Sequence, residues 1–524
     1  MYINTLKIAK LGSLVEIVCL SMSPLLIAVV VLLLAFKFYK FSCYKPPNSP
    51  PSVFRIPISG SYLTLLLRNY SFPYNTVEYY AKKLKTKIIG YYLGSFWVVV
   101  ANDYANIKEI LKRGEFNARV TEVPIIKDRS FGKMLGITFT DGPLWREQRR
   151  FFLRNVRDFG FGRRQEAFER EILDEVSLLI NILKHGPIYD GEKEIIKGNL
   201  ALFPDILYST IGSSLWKVLF GQRFDRTEHD IPRRVCRLSM MFVRSLESTG
   251  GAIFHLPFLK FFGNMFGYKN VIKSNYLVAD IIQEYLKSLE TTFGENVDRG
   301  FVDRYLNVLN KNDKSQYFSE KQVIMMLTDV MLATCSTIPA TVTQIIKFLI
   351  NHPMVLKKAQ DEIDKVVGTG RLVTWDDRKN LPYTEAVIRE TMRINSLLPL
   401  GIFHRAVKDT TLGEYTISAN TPVVTNLAAM HHDPDLWGDP ENFRPERFIN
   451  ENNELSKDMS LPFGLGHRVC PGETYSRYNM FGMIAALLQT FNFYLVEGEP
   501  SRIKDNLSGL IITPKEFWVR YELR

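Results

Sequence analysis

The hydrophobic and polar positions of this chain fall into three patterns, and each predicts a different kind of element. The first is an unbroken apolar run. Ile17 to Phe36 is twenty residues without a charge, ending in AVVVLLLAF, and about twenty residues is what a helix needs to cross a bilayer core. Lys37, Lys40 and Lys45 follow it, against Lys7, Lys10 and Glu16 before it, a bias that keeps the remainder of the chain on the cytosolic side. A cleaved leader would have a shorter apolar core and a small-residue cleavage site, and a mitochondrial presequence would be rich in arginine, which is first met at Arg55. Directly after the run, KPPNSPPSVFRIPISG sets four prolines between Pro46 and Pro51, which stiffen the chain and remove backbone donors.

The second pattern has a helical period. Gln322 to Leu349 reads as one helix, roughly 40 Å long at 1.5 Å per residue. GPLWREQRRFF, AVIRETMR and the amphipathic TYSRYNMFGMIAALLQTF read as others. The third pattern is alternation around Ile88 to Val100 and Tyr415 to Val424, which predicts strands.

Composition adds bounds. A length of 524 residues suggests three domains as a prior, yet beyond the proline segment there is no low-complexity linker, charge block or internal repeat. Cys19, Cys43, Cys236, Cys335 and Cys470 are odd in number and scattered, which fits a reduced compartment better than a disulfide scaffold. The net charge of +11 comes without a nucleic-acid recognition motif, so no nucleic-acid partner is expected.

The candidate chemistry is concentrated in FGLGHRVCPG, Phe463 to Gly472. Gly464 and Gly466 lack a Cβ, so the backbone there can bend sharply and lie flat against a large planar group. Cys470 opens the following helical stretch, where the dipole and free N–H groups favour a thiolate, and Pro471 suits a first turn. Arg468 is placed to reach an anionic group, and Phe463 to cover the sulfur from water. Ordinary residue frequencies produce Phe-x-x-Gly-x-Arg-x-Cys-x-Gly in such a chain roughly once in ten thousand. The segment resembles the haem-binding loop of the cytochromes P-450, the haem-thiolate monooxygenases, whose cysteine is the proximal ligand of the iron of haem b.

Weaker motifs gain meaning from their order. Glu390 and Arg393 share a helical face and are followed by FRPERF and then by the cysteine loop. The resemblance implies that Glu390, Arg393 and Arg447 form a buried structural triad. Trp145 and Arg149 are four apart on one helical face, and an indole N–H and a guanidinium so placed can bind a carboxylate together. By resemblance they hold a haem propionate, with His404 and Lys133 completing the set. Four further arginines, Arg146, Arg150, Arg154 and Arg157, flank this pair, and in the family that surface receives the electron donor.

The long helix aligns with the family's distal helix, whose usual core is Ala-Gly-x-acid-Thr-Thr. This chain reads Ala333-Thr334-Cys335-Ser336-Thr337-Ile338, then Pro339. The alanine and the first threonine are kept, while the glycine, the acid and the second threonine are not. Thr337 and water held by Ser336 are therefore the expected proton relay, weaker than one with a carboxylate. Asp329 lies two turns, about 10 Å, away, too remote to replace the acid.

The resemblance implies a mainly α fold with a small β-rich lobe: an anchor over residues 1–44 with its span at about 17–36, a hinge over 45–60 and one catalytic domain over 61–524. The motif spacing is most like the microsomal clan that includes drug- and steroid-metabolising members. The implied protein is a single-pass protein of the endoplasmic reticulum membrane with its catalytic domain in the cytosol. It would insert one atom of O2 into a lipophilic molecule with electrons from an NADPH-cytochrome reductase or a small haem-protein donor. Substrate walls are expected at Val120–Ile137, Leu397–Phe403 and Leu510–Ile512. Two other readings stay open because of the altered distal helix: an isomerase or dehydratase of hydroperoxides that needs no reductase, and a haem-binding protein without turnover.

Overall fold

Most apolar positions of the chain recur at helical period, and the computed structural model is accordingly mainly helical, with small sheets gathered at the edges. It describes residues 24–249, 251–294, 297–311 and 315–524. Residues 17–23 of the expected span, and Cys19, lie outside the described residues. The part that is described continues as helix α1, Pro24–Cys43, seven residues past the expected end at Phe36. Leu32 and Leu34 are 67% and 61% exposed, so α1 leaves its apolar surface uncovered by the rest of the protein.

The elements that build the site follow in chain order: β1 Ile88–Leu93, β2 Phe96–Ala101, β3 Ala118–Arg119, α2 Gly142–Val156, α3 Glu166–His185, α4 Tyr208–Phe220, α5 Asp230–Arg244, α6 Tyr268–Thr291, α7 Glu320–Asn351, α8 Pro353–Val366, α9 Pro382–Asn395, β4 His404–Arg405, β5 Pro422–Thr425 and α10 Glu473–Thr490. Helix α7 is the axis. Ser319 caps it by accepting from the Gln322 N–H, and α4, α5, α6, α9 and α10 all pack on it. By length and composition α7 could cross a membrane, but 89% of its apolar window is buried inside the protein, which makes it a core helix. Pro339 sits within it and cannot supply the N–H that would bond the Cys335 carbonyl.

Helix α10 differs from the amphipathic helix expected. Packed against α3, α7 and α8, it is buried on nearly all sides, from Tyr475 to Gln489. Its first residue is Glu473, so Cys470 and Pro471 precede the helix instead of opening it.

The β-rich lobe is a five-stranded sheet in the order β1-β2-β5-β4-β3. Only β2 and β5 run parallel, with Val99 beside Val423. The alternation of β1 and β2 sorts side chains between two apolar clusters rather than between core and water. Ile88, Val99 and Ala101 enter one, and Ile89, Tyr91, Val98 and Val100 the other. The stretch from Tyr415 to Val424 divides into two strands, because Tyr415–Ile417 pairs with Thr410–Leu412 while β5 joins the main sheet. A four-stranded sheet built from 491–494, 517–523, 200–203 and 196–197 closes the opposite flank.

Candidate active site

The cysteine loop is held by its own backbone. The Cys470 N–H donates to the Phe463 carbonyl at 2.9 Å and the Val469 N–H to Gly466 at 3.2 Å. Gly464 and Gly466 both have φ of 70°, which L side chains rarely adopt. A Cβ on Gly466 would collide with the Leu111 carbonyl oxygen, whereas one on Gly464 would meet no atom within 4 Å, so the loop presents an open face there. Burial pushes the Cys470 thiol up to about 11, and the Gly472 N–H and the Arg149 guanidinium oppose that shift. Such a thiol would lose its proton to solvent on ligating a metal ion, whose charge stabilises the thiolate. The Phe463 ring lies 4.9 Å from the Arg477 guanidinium.

Beside the loop, four elements bring cations together. Arg149, on α2, donates to the Val469 carbonyl. Arg468 donates to Asn117 O at 2.9 Å and Thr140 O at 3.0 Å, with its guanidinium 3.5 Å from the Trp145 ring centroid. Arg119, on β3, pairs in register with His404 on β4 and donates to Ile402 O at 2.7 Å. His404 Nδ1–H donates to Phe116 O at 2.8 Å. These groups need an anion. Burial first, and then Arg119 and Arg149, depress Arg468 to about 8, and burial and Arg149 depress Arg119 to about 9. The Trp145 Nε1–H and the Arg119 Nε–H are buried without a partner, an arrangement natural proteins leave to a ligand or water. The nearby Asp141 is engaged by Arg405 at 2.6 Å. Three guanidiniums, an indole N–H and a buried thiol on a glycine-bent loop fit a planar ring with two acids and a central iron.

Arg119 lies within the stretch of family resemblance but is not among the expected site residues; its pairing with His404 across the sheet brings it to the group. Lys133, by contrast, stays exposed in the turn after Asp128, its backbone bonded to Ser130, outside this buried group.

Two cavities flank the site. One lies between Thr337, Ile338 and Thr341 of α7, Pro462 and Phe463 of the loop, and Met480 of α10. The other is walled by segments expected from the sequence, including Val120, Ile126, Phe403 and Leu510. It is also walled by Phe96, Val98, Leu246, Ser248, Thr249 and Phe254, which no motif marks.

On α7, Ala333 is exposed and Thr337 half-buried within an otherwise buried stretch, and Thr337 lines the first cavity. The Thr337 hydroxyl donates to Ala333 O at 2.9 Å. Ser336 is fully buried, and its hydroxyl turns back to Leu332 O at 2.7 Å and Ala333 O at 3.1 Å. The helix backbone thus engages the group expected to hold water. Asp329 binds Arg129 and accepts from the Ile137 and Thr138 N–H groups at 2.8 and 3.0 Å, a structural tie.

Behind the loop, Glu390 accepts from Arg393 at 2.8 and 2.9 Å, from Arg447 at 3.0 Å and from the Arg444 N–H at 2.9 Å. The other Arg393 donors reach His431 O and Pro440 O. Glu390 and Arg393 are fully buried.

The family description Cytochrome P450 matches residues 50–520. The chain is 30% identical to farnesoate epoxidase of Bombyx mori, over 95% of this chain and 99% of that protein. It is 30% identical to Cytochrome P450 2F2 of Rattus norvegicus over 95% and 98%, and 32% identical to Cytochrome P450 2B9 of Mus musculus over 73% and 74%. The chain belongs to the cytochrome P450 family, haem-thiolate monooxygenases. Its cofactor is haem b.

Proposed function

We propose that this protein is a membrane-anchored monooxygenase that inserts one atom of O2 into a lipophilic small molecule, using electrons from an NADPH-dependent reductase. The observation that carries this reading is the buried cation group with its unpartnered indole and guanidinium N–H, set beside Cys470. When bound, haem supplies the oxygen-activating chemistry. Cys470 Sγ would ligate its iron, Gly466 would keep the loop flat, and Phe463 would shield the sulfur. Trp145, Arg149, Arg119, Arg468 and His404 would hold its acids. Thr337, accessible on α7, would hold the proton that O–O cleavage consumes, and the two cavities would seat the substrate away from water. The farnesoate epoxidase among the relatives makes a farnesoate-like lipid the substrate to assay first.

Arg146, Arg150, Arg154 and Arg157 are exposed on and just after α2, and among the described residues none is paired with a carboxylate. That surface suits an acidic electron donor, whose approach it would steer. In a reductase-reconstituted assay, NADPH and O2 should be consumed with product formation. Thr337→Ala should lower product per NADPH by a few-fold, as a proton-delivery contribution of about 1 kcal/mol would. Hydroperoxide turnover without reductase, with coupling unchanged in Thr337→Ala, would overturn this reading for that of an isomerase. The engaged Ser336 hydroxyl is the observation that favours the isomerase.

For location, the reading is a single pass through the endoplasmic reticulum membrane ahead of a proline-rich hinge, with the catalytic domain over 61–524 on the cytosolic side. Deleting residues 1 to 44 should move most of the protein from the membrane pellet to the supernatant. Phe261 and Met265, 82% and 75% exposed, would keep a fraction bound. Retention equal to that of the full chain would refute the anchor.

A further inference from the structure

The second cavity has apolar walls such as Val98, Val123, Phe139 and Phe254, with a polar place in the segment after α5. Ser248 and Thr249 both line the cavity and are almost fully buried. Their hydrogen bonding is unequal. The Thr249 hydroxyl donates to Glu247 at 2.6 Å, and the Thr249 carbonyl lies 2.6 Å from His255 Nε2. The Ser248 hydroxyl, in a residue only 2% exposed, has no partner. A buried hydroxyl left unpaired is unfavourable, and one that lines a cavity can be satisfied by whatever fills it.

The surroundings fix this place. Tyr62 donates to Glu247 and lies against His255, with ring centroids 5.6 Å apart. The tight turn at Gly94, with φ of 60°, presses on the His255 carbonyl so closely that a Cβ there would collide. The histidine beside it adds no positive charge. Burial pushes Glu247 up and lowers His255 to about 4, so the imidazole is neutral at physiological pH. The cation on the cavity wall, Arg119, donates to the Ile402 and Phe403 carbonyls and belongs to the group assigned to the ring acids.

We propose that Ser248, with Thr249 beside it, is a docking point for one neutral hydrogen-bonding oxygen, that of a hydroxyl, ester or amide, on an otherwise apolar substrate. This deepens the reading of the protein as an oxygenase of lipophiles and rests on it. A ligand fixed at one polar end presents a constant stretch of its chain to the reacting centre, so Ser248 would set where along the chain oxygen is inserted.

The test is equilibrium dialysis of the haem-loaded full chain against dodecane, dodecanol, methyl dodecanoate and dodecanoate. The alcohol and the ester should bind about five-fold tighter than the hydrocarbon, as one net hydrogen bond provides, and the carboxylate more weakly than the ester. Ser248→Ala should remove that preference and leave dodecane affinity unchanged, and Ser248→Thr, which keeps the hydroxyl, should preserve it. If Ser248→Ala weakens dodecane as much as dodecanol, or if dodecanoate binds as tightly as its ester, the proposal is overturned. Dialysis does not depend on iron ligation. A carbon monoxide spectrum without thiolate character would therefore count against the haem-thiolate reading separately.

Discussion

Replacing Cys470 by Ser should abolish the red-shifted Soret band of the reduced, carbon monoxide-bound protein and reduce turnover to background. The hydroxyl is close in size to the thiol and leaves the loop bonds of Phe463 and Gly466 untouched, so the protein should still fold. What is lost is the anionic sulfur, whose electron donation favours O–O cleavage. The thiol of the protein alone is held protonated by burial, which the Gly472 N–H and Arg149 offset only in part, and a ligated metal cation would supply the rest. A second arm separates the ligand from the cradle. Arg149→Ala and Arg119→Ala should keep the thiolate band but release haem to an excess apo-globin acceptor about ten- to a hundred-fold faster, since a charge-assisted hydrogen bond is worth about 1.5–3 kcal/mol. A wild-type spectrum of the histidine-ligated type, in intact protein, would sink the assignment of Cys470.

Glu390→Ala should be the most destabilising single change in the domain. It would leave Arg393 and Arg447 facing each other, the first fully buried and the second nearly so, and removing one partner of a buried ion pair costs about 3–5 kcal/mol. Against a total stability of about 5–15 kcal/mol, that removes most of the margin at the lower end of the range and lowers the amount of folded protein. Arg393→Lys should be nearly as severe, because an ammonium cannot serve both Glu390 oxygens, His431 O and Pro440 O at once. The measurement is the yield of haem-loaded protein and its thermal midpoint. A Glu390→Ala protein with wild-type yield and a midpoint within a degree or two would show that the triad does not hold the core.

What could be read from the chain and what could not divide along a physical line. The Cys470 loop is local: glycines at two bends, a thiol and a proline within ten residues state their own geometry. The extent of α7 is local too, since thirty-two residues of helix-compatible, mostly apolar sequence leave few alternatives. The orientation of Ser336 is not local. A helical period says which residues share a face, but only packing decides which face meets a cavity, and the accessible positions are Ala333 and Thr337. The burial of α10 on nearly all sides was likewise hidden, because Asn479, Gln489 and tyrosine hydroxyls that read as polar are satisfied inside. Arg119 needed a strand partner far along the chain, and the Ser248 wall needed the turn at Gly94 to be pressed against it.

That separation along the chain has a consequence for synthesis. Arg119 bonds the carbonyl of a residue 283 positions later, and Asn102 is bonded by Asn426, 324 positions later. At roughly 5–20 residues per second, β1 and β2 emerge from the ribosome about 15–60 s before β4 and β5 exist to cover them. During that interval a hairpin rich in valine and tyrosine has an unpaired edge, a template for mispairing with other chains. Slowing translation between residues 101 and 404 should therefore lower the folded yield even though no amino acid changes, and a chaperone that covers the nascent hairpin should restore it.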